Sequence, residues 1–569
     1  MEIWRININT QSLSREPVPA HWDTLGGRGL LAQILVDEVP ATCDPLGSHN
    51  KLIFAPGLLV GHMLSSCDRI SVGGKSPLTG GVKESNAGGS TGLQLTHLGI
   101  KALIVEGRPA GQHGWHILRL NAQGASFEPA DDLIGLGVYE TGCRLQERYG
   151  TKVAIALIGP GGEMQLASAG IQNLDKDGIP SRINARGGLG AVMGSKGLKA
   201  IVIDSSQGSK PSIARPEAFR AAQKAFNQAL LNHPQTAVYR DYGTASLVRL
   251  TNTLACLPTR NFSAGQFEGA EAIGGEVMRE TILRRAGEGD PAHACMAGCV
   301  IRCSNIFAGE DGKSLVSPLE YETIGLMGSN LGIADLDTIA RLNYEVNDLG
   351  LDSIEIGAAL GVACDAGLLQ FGDGRRALEL MEEIRQGTPL GRMLGSGAGL
   401  TGRALGVRRV PVVKNQAISA YDPRAIKGTG VTYATTPQGA DHTAGLTVRA
   451  KIDHTSPKGQ AAVSLNAQLN NAGYDTLGAC VFAGFGFAAS PESIRDLLNA
   501  RYDWDLDTDI LQALGRRTIS LEREFNRQAG FTSADDRLPE WMTEEPLAPI
   551  DSVFDVANED LDTIYTWES

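Results

Sequence analysis

Two stretches far apart in the chain constrain its fold more than any other feature. Ala294-Cys295-Met296-Ala297-Gly298-Cys299-Val300-Ile301-Arg302-Cys303 sets three thiols at the spacing C-x3-C-x3-C. Far downstream, Asp475-Thr476-Leu477-Gly478-Ala479-Cys480 ends a tight polar turn on a fourth. A fold in which the two meet gathers three thiols and one. That is the number of cysteines an iron–sulfur cube takes from its protein. Zinc accepts the same four thiolates, and a metal-free cluster of buried cysteines has the same spacing. The spacing does not choose among them.

Length and composition set the frame for that meeting. A chain of 569 residues has room for about three domains. Hydrophobic residues at 42% and charged residues at 20% describe an ordinary soluble globular protein. The net charge of -13, with no basic tract, argues against nucleic acid as a partner. No apolar run is long enough for a membrane span. Met1-Glu2-Ile3-Trp4-Arg5 opens directly into a strand-like pattern with no signal-peptide core. The nine cysteines are odd in number and mostly scattered, which does not suggest a disulfide framework. The expected location is the cytoplasm.

Residues 1–206 read as strand-rich. Lys51–Ala55, Ala102–Val105, Trp115–Leu120, Val153–Ile158 and Ala200–Ile203 are short Ile- and Val-containing runs between Gly and Pro punctuation. No strict βαβ alternation and no internal repeat is visible. Ser205 to Arg215 reads as a linker. Pro216 suits the first position of a helix, with Phe219, Phe226 and Leu230 on one face. Arg376 to Ile384 is a further helical stretch. A second break falls near Val407 to Pro423. Beyond it Ile510, Leu514, Leu521 and Phe525 recur at helical spacing as core residues. The expected domains are 1–206, 216–406 and 407–569.

Three loops stand out for small residues. They are Arg69 to Gly80, with Lys75-Ser76-Pro77-Leu78-Thr79-Gly80; Ser85-Asn86-Ala87-Gly88-Gly89; and Ser181-Arg182-Ile183-Asn184-Ala185-Arg186-Gly187-Gly188 running on to Lys196. Backbone N–H groups together with arginine forks bind phosphate well. Singly, each reads as a turn with a surface arginine. Taken in order with the cysteine cluster and Asp475–Cys480, they resemble the aldehyde:ferredoxin oxidoreductase family of tungsten bis-pyranopterin enzymes. The likeness runs over nearly the whole length.

The resemblance implies an α+β fold, with a β-rich N-terminal base domain and two largely helical domains closing over the cofactor. It implies tungsten held by the dithiolenes of two pyranopterins (a tungstopterin), a Mg2+ ion joining the pterin phosphates, and a 4Fe-4S cluster. Carried over residue by residue, Arg69 bridges cluster and pterin. Asn86 and Ile183 give backbone carbonyls to the magnesium. Asn86, Ala87, Gly88 and Gly89, with Arg182 and Arg186, cradle a phosphate. Two copies of Asp-x-x-Gly-Leu-Asp/Cys hold the pterins. One uses Asp475 and Ala479; the other, Asn347-Asp348-Leu349-Gly350-Leu351-Asp352, uses Asn347, Leu351 and Asp352, with a neutral Asn347 as its first residue. Read alone, the latter is a helix end capped at Gly350. The cluster ligands are Cys295, Cys299, Cys303 and Cys480, although the family's commoner spacing is C-x2-C-x3-C.

Glu322 and His442 match the family's acid–base pair, with Glu320 and Asp441 as rival proton carriers. Ala444 stands where the family has a pterin-contacting lysine. Arg341-Leu342-Asn343-Tyr344 lacks the Glu and His that bind an intersubunit iron in some members, so no such iron is expected and a homodimer stays open. The implied activity is oxidation of an aldehyde to a carboxylic acid with water, electrons passing through pterin and cluster to ferredoxin or a partner iron–sulfur subunit. Two other readings stand beside it. One is the catalytic subunit of a reductive complex with the same cofactor; the other is a non-catalytic iron–sulfur electron-transfer subunit.

Overall fold

The computed structural model describes residues 1–109 and 114–568. The strand-like runs of the first 204 residues become two six-stranded sheets. The first contains β1 (Glu2–Asn7), β2 (Ser12–Pro17), β3 (Leu52–Pro56), β4 (Ile70–Lys75), β5 (Val82–Ala87) and β6 (Ile100–Glu106), in the order β2-β1-β6-β3-β4-β5. The second contains β7 (His116–Asn121), β8 (Gly124–Pro129), β9 (Ala154–Leu157), β10 (Ile171–Leu174), β11 (Pro180–Asn184) and β12 (Leu198–Asp204), in the order β8-β7-β12-β9-β10-β11. Adding six to each strand of the first sheet gives the second. Each has one parallel pair, β1–β6 and β7–β12. The repeat that the residues do not reveal is thus present in the topology. Its two halves face each other through one apolar layer, where Ile70, Val72 and Leu103 meet Leu118, Ile158 and Ile201. Such a layer needs apolar, strand-forming side chains and not particular ones, so the halves can share a topology without sharing a sequence.

The outer face of the first sheet is covered by the helix Gly27–Glu38 and, beyond it, Ile510–Gln528; Leu30, Leu31, Leu514 and Phe525 belong to one buried cluster there. Residues 205–215 contain no helix or strand, and Pro216 opens the helix Pro216–Asn232. From there the chain is mainly helical, as an α+β reading expects.

The repeat matters because each half holds one helix end. The helix Leu336–Leu349 ends at Gly350, φ +71°, and Gln460–Leu477 ends at Gly478, φ +77°. Left-handed backbone costs glycine nothing. In both turns the next N–H reaches back into the helix, Leu351 to the Val346 carbonyl (3.0 Å) and Ala479 to that of Tyr474 (2.9 Å), a Schellman closure. The sheets receive these turns through matching bonds. Gly170, just before β10, donates to the Gly350 carbonyl (2.9 Å); Arg69, just before β4, donates to that of Gly478 (3.1 Å). The Asp352 N–H reaches the Ser168 carbonyl (2.9 Å), and the Cys480 N–H reaches that of Ser66 (2.7 Å). Gly159 after β9 and Gly57 after β3 lie so close to the turns that neither has space for a Cβ. Each sheet half therefore holds one glycine-ended turn from a later helix.

Candidate active site

The thiols come together around one short segment. Ser65 accepts the Val300 N–H on its hydroxyl (3.1 Å), the Ser66 hydroxyl lies 3.4 Å from Cys299 Sγ, and the Ser66 carbonyl holds Cys480 as above. Cys295 lies against the loop after β5: a Cβ on Gly88 would come 3.1 Å from its sulfur. Burial pushes the Cys295 thiol up to about 12, against the pull of Arg182, and Cys299 adds to the rise. Burial and then Glu320 raise Cys303 well above the ordinary value; burial raises Cys480 against Arg69. Thiols that oppose one another's ionisation in this way are the donors that a metal's positive charge would deprotonate.

The spacing of the sulfurs bears on which metal fits. Among the described residues, the group of three or more Cys, His, Asp or Glu ligand atoms lying within 4.8 Å of one another is Asp175, Asp177 and His293. Tetrahedral zinc at 2.3 Å would bring its sulfurs to about 3.8 Å from each other. Among the described residues no three of the four thiols lie within 4.8 Å of one another. Cys67, which sequence reasoning passed over, is a fifth thiol close to Cys480 and Cys299, fully buried where the other four are half-buried.

Arg69 leads away from the thiols. Burial works against its charge, but Cys480, Cys295, Asp475 and Cys303 outweigh burial and hold the guanidinium protonated. Its Nε donates to the Asn86 side-chain oxygen and its Nη2 to the Asn86 carbonyl (3.0 Å). So Arg69 joins the thiol cluster, the Asp475 turn and the start of the Asn86–Gly89 loop. Asn86 lies near the end of β5 and Ile183 near the end of β11, the corresponding edge strands. Asn184 ties these edges together by donating to the carbonyls of Ser85 (2.5 Å) and Ile70 (3.3 Å).

The two arginines of the third loop have different surroundings. Arg182 is 7% exposed, yet its Nε and Nη2 have no partner, and the nearest carboxylate, Glu320, is 3.8 Å from Nη1. Unpaired buried guanidinium nitrogens beside a glycine loop fit an anionic group such as phosphate. All the hydrogen bonds of Arg186 go to protein: Nε to Asp352 (3.2 Å), Nη1 to Ser419 (3.1 Å) and the Ala440 carbonyl (2.6 Å), Nη2 to the Ala417 carbonyl (2.5 Å). It fastens the Asp352 turn to the loop that carries His442.

In the Asp475 turn, the carboxylate accepts from Arg28 Nη1 (3.3 Å). Burial raises its pKa, and Arg28 and Arg69 draw it partly back. In the other turn, Asn347 is buried and its carbonyl receives the Gly350 N–H (3.0 Å). Leu351 forms an isolated bridge to Ala169.

Glu322 and His442 meet. Glu322 is in the first turn of the helix Tyr321–Met327; its Oε2 accepts the Ala420 N–H (2.8 Å) and its Oε1 lies 3.3 Å from His442 Nε2. The other ring nitrogen, Nδ1, is 3.0 Å from the Ser419 hydroxyl. Of the rival carriers, Asp441 is locked as an anion. Burial opposes its charge, but Lys83 Nζ at 2.8 Å and then Arg186 hold it far below the carboxylate range. Its task is local: it caps the short turn His442–Ala444 by accepting the Thr443 N–H (3.0 Å). Burial raises Glu320, against Arg182 and Arg69. Sequence reasoning also passed over Arg28, Lys83 and Glu84. Lys83 and Glu84 are buried in β5, and Arg28 is buried in the helix Gly27–Glu38.

The doubled sheet base, the two docked turns, the thiol cluster and the carboxylate–imidazole pair are linked through Arg69 and Arg186. Comparison with known proteins gives the family. The N-terminal domain profile of aldehyde ferredoxin oxidoreductase matches residues 3–205, and the profile of its domains 2 and 3 matches residues 221–566. The chain is 33% identical to the tungsten-containing aldehyde ferredoxin oxidoreductase of Pyrococcus furiosus, over 95% of this chain and 91% of that one. It is 33% identical to the protein of the same description from Thermococcus kodakarensis, with the same coverage. It is 26% identical to the WOR-like subunit of an aliphatic sulfonate oxidoreductase of P. furiosus, over 88% and 81%. The active-site complex BamBC of benzoyl coenzyme A reductase shares the fold, with a TM-score of 0.79 at 20% identity over 95% of this chain and 90% of the other. The chain belongs to the aldehyde ferredoxin oxidoreductase family and is an oxidoreductase.

Proposed function

We propose that this protein oxidises an aldehyde to a carboxylic acid on a tungsten bis-pyranopterin and passes the electrons through a 4Fe-4S cluster to ferredoxin or a partner iron–sulfur subunit. The observation that carries the reading is the pair Glu322–His442, 3.3 Å apart on elements tied to one of the two docked turns through Ser419 and Arg186. The cofactor, when bound, would supply two-electron redox chemistry at the metal and one-electron steps at the cluster. Arg182 and the Asn86–Gly89 loop would hold its phosphates, the two turns its pterin rings, and Cys295, Cys299, Cys303 and Cys480 the iron.

The chain's own groups then handle water and protons. Conversion of aldehyde plus water to acid releases two electrons and two protons. Glu322 is positioned to take the proton of the attacking water, since its Oε1 has no hydrogen-bond partner beyond the nearby imidazole. His442 would donate from Nε2 to the carbonyl oxygen, its ring oriented by Ser419 at Nδ1. Asp441, kept ionised by Lys83, fixes the turn and takes no proton. Electrons would leave at the edge beside Arg302, which is exposed, with Met63 and Val481 also at the surface. Among the described residues no helix is long and apolar enough to cross a membrane.

The test is anaerobic purification followed by measurement of tungsten, molybdenum, iron, zinc and pterin per chain, then an aldehyde panel with a low-potential acceptor. Glu322→Gln and His442→Asn should each lower kcat by about 10²–10⁴ with tungsten and pterin content unchanged. Zinc in place of iron, or iron with no pterin, would defeat the reading. A second reading, reduction of an acid or ring system on the same cofactor, draws on the unequal turns, neutral at Asn347 and acidic at Asp475. Aldehyde oxidation absent in a fully loaded enzyme would favour it.

A further inference from the structure

The buried carboxylate of Glu84 has no task in the chemistry above. It lies on β5, two residues before Asn86, so both side chains leave the same face of the sheet. Opposite it in the β4–β5 register is Gly73, which has no side chain to meet it. Glu84 is 6% exposed, and its Oε1 has no hydrogen-bond partner. The cation nearby does not supply one. Arg28 donates from Nε and Nη2 to Glu522 (2.7 and 2.9 Å) and from Nη1 to Asp475 (3.3 Å). The Glu84 backbone is held elsewhere, its N–H donating to the Gln438 side chain (2.8 Å). An acceptor is therefore left open beside Asp475, on the face that leads to the Asn86–Gly89 loop.

We infer that Glu84 is a second cofactor-contacting carboxylate, accepting an N–H of the same pterin ring that Asp475 holds. The inference rests on the cofactor reading above. The pyrimidinone edge of a pterin carries a ring N–H and an exocyclic amine, two kinds of donor side by side. One carboxylate can meet part of that edge, and two adjacent carboxylates can meet all of it. Arg28 positions Asp475 from behind and leaves the free oxygen of Glu84 for the ligand.

The test compares wild type, Glu84→Gln and Glu84→Met, each made as holoprotein with tungsten. Pterin and tungsten per chain, the rate of pterin release after dilution, and the melting temperature of cofactor-free protein are the readouts. Glu84→Met should release pterin about tenfold faster, as for a lost hydrogen bond. Glu84→Gln, which keeps a carbonyl acceptor, should fall between. Cofactor-free Glu84→Met should melt no lower than wild type, since removing a buried oxygen with no partner offsets the lost hydrogen bond between the other carboxyl oxygen and Ser71. Those opposite directions separate ligand contact from a structural role. Release from Glu84→Met at the wild-type rate would overturn the inference, and so would a loss of cofactor matched by a fall in the melting temperature of the cofactor-free protein. Wild-type protein without pterin would overturn both this inference and the functional reading beneath it.

Discussion

The docking of two turns on two sheet halves leads to a paired experiment, Gly57→Ala and Gly159→Ala. Neither glycine has the left-handed backbone that disfavours alanine, so the effect is steric. A Cβ at Gly159 would lie 2.5 Å from the Leu349 carbonyl carbon and 2.8 Å from the Gly350 nitrogen; at Gly57 it would overlap Gly478 and Leu477 more severely. Carbon atoms rest at about 3.5–4.0 Å, so either turn must retreat by about 1 Å or more. Overpacking of this kind costs about 1–3 kcal/mol. Undocking the turn instead sacrifices its backbone bonds to the sheet, each worth about 1 kcal/mol. For Gly57 these run from Leu58, Leu59 and Arg69 to the turn and from Cys480 to Ser66; for Gly159 they are the Gly170–Gly350 and Asp352–Ser168 bonds. The smaller of the two costs sets the result by urea unfolding, about 1–3 kcal/mol for Gly57→Ala and about 1–2 kcal/mol for Gly159→Ala. The ligand losses should differ. Cys480 sits at the end of the turn that Gly57 supports, so Gly57→Ala should lose iron as well as pterin. Gly159→Ala should lose pterin and keep its iron. Metal analysis and pterin release read this directly. Full iron in Gly57→Ala, or equal iron loss in both variants, would refute the pairing of halves with turns.

Three further outcomes follow from the buried charges. Arg182→Met should lower pterin content without destabilising the cofactor-free protein, because two of its nitrogens lack partners there. Arg186→Met should cost about 3–5 kcal/mol by denaturant unfolding, since it leaves Asp352 and the Ala417 and Ala440 carbonyls buried and unpaired. Lys83→Met should destabilise in a pH-dependent way. Asp441 has a folded pKa below its unfolded value, so its stabilisation is full above about pH 4 and is lost as the pH falls toward the folded value. The gap between wild type and Lys83→Met in urea unfolding should therefore be wide at pH 7 and narrower near pH 3.

Much of this architecture was legible in the residues because it depends on local chemistry. β3, β6, β7, β9 and β12 coincide with the Ile- and Val-containing runs to within about a residue at most ends. The helices Pro216–Asn232 and Ile510–Gln528 follow their apolar spacing. Gly350 could be read because a left-handed helix end calls for glycine; the helix ending at Gly478 was legible only as a polar turn. What could not be read depends on partners distant in sequence. Arg28 pairs with Asp475 and Glu522, and Lys83 pairs with Asp441. Nothing near Arg28 or Lys83 in the chain marks either as half of a buried pair. Asp441 looked like a proton carrier only while Lys83 and Arg186 were out of view.

The unseen repeat has the same cause and explains the shape of the site. A sheet half constrains its residues to be apolar and its glycines to be where a turn approaches. Gly57 and Gly159 are equivalent in the fold but lie in stretches, Ala55-Pro56-Gly57-Leu58 and Ile158-Gly159-Pro160-Gly161, with little else in common. What differs between the halves is chemistry. The residue that closes one turn is Asp352, which also caps the helix Ser353–Asp365 by accepting the Ile354 N–H (3.0 Å); the residue that closes the other is Cys480, facing the remaining thiols. The residue before β10 is Gly170, and its counterpart before β4 is Arg69, whose charge answers those thiols. Cys480 and Arg69 are thus the departures from symmetry on the second turn's side, and both lie at the thiol cluster. Under the proposed function, the doubled scaffold would hold two like rings, and the substitutions confined to one half would give that half its exit for electrons.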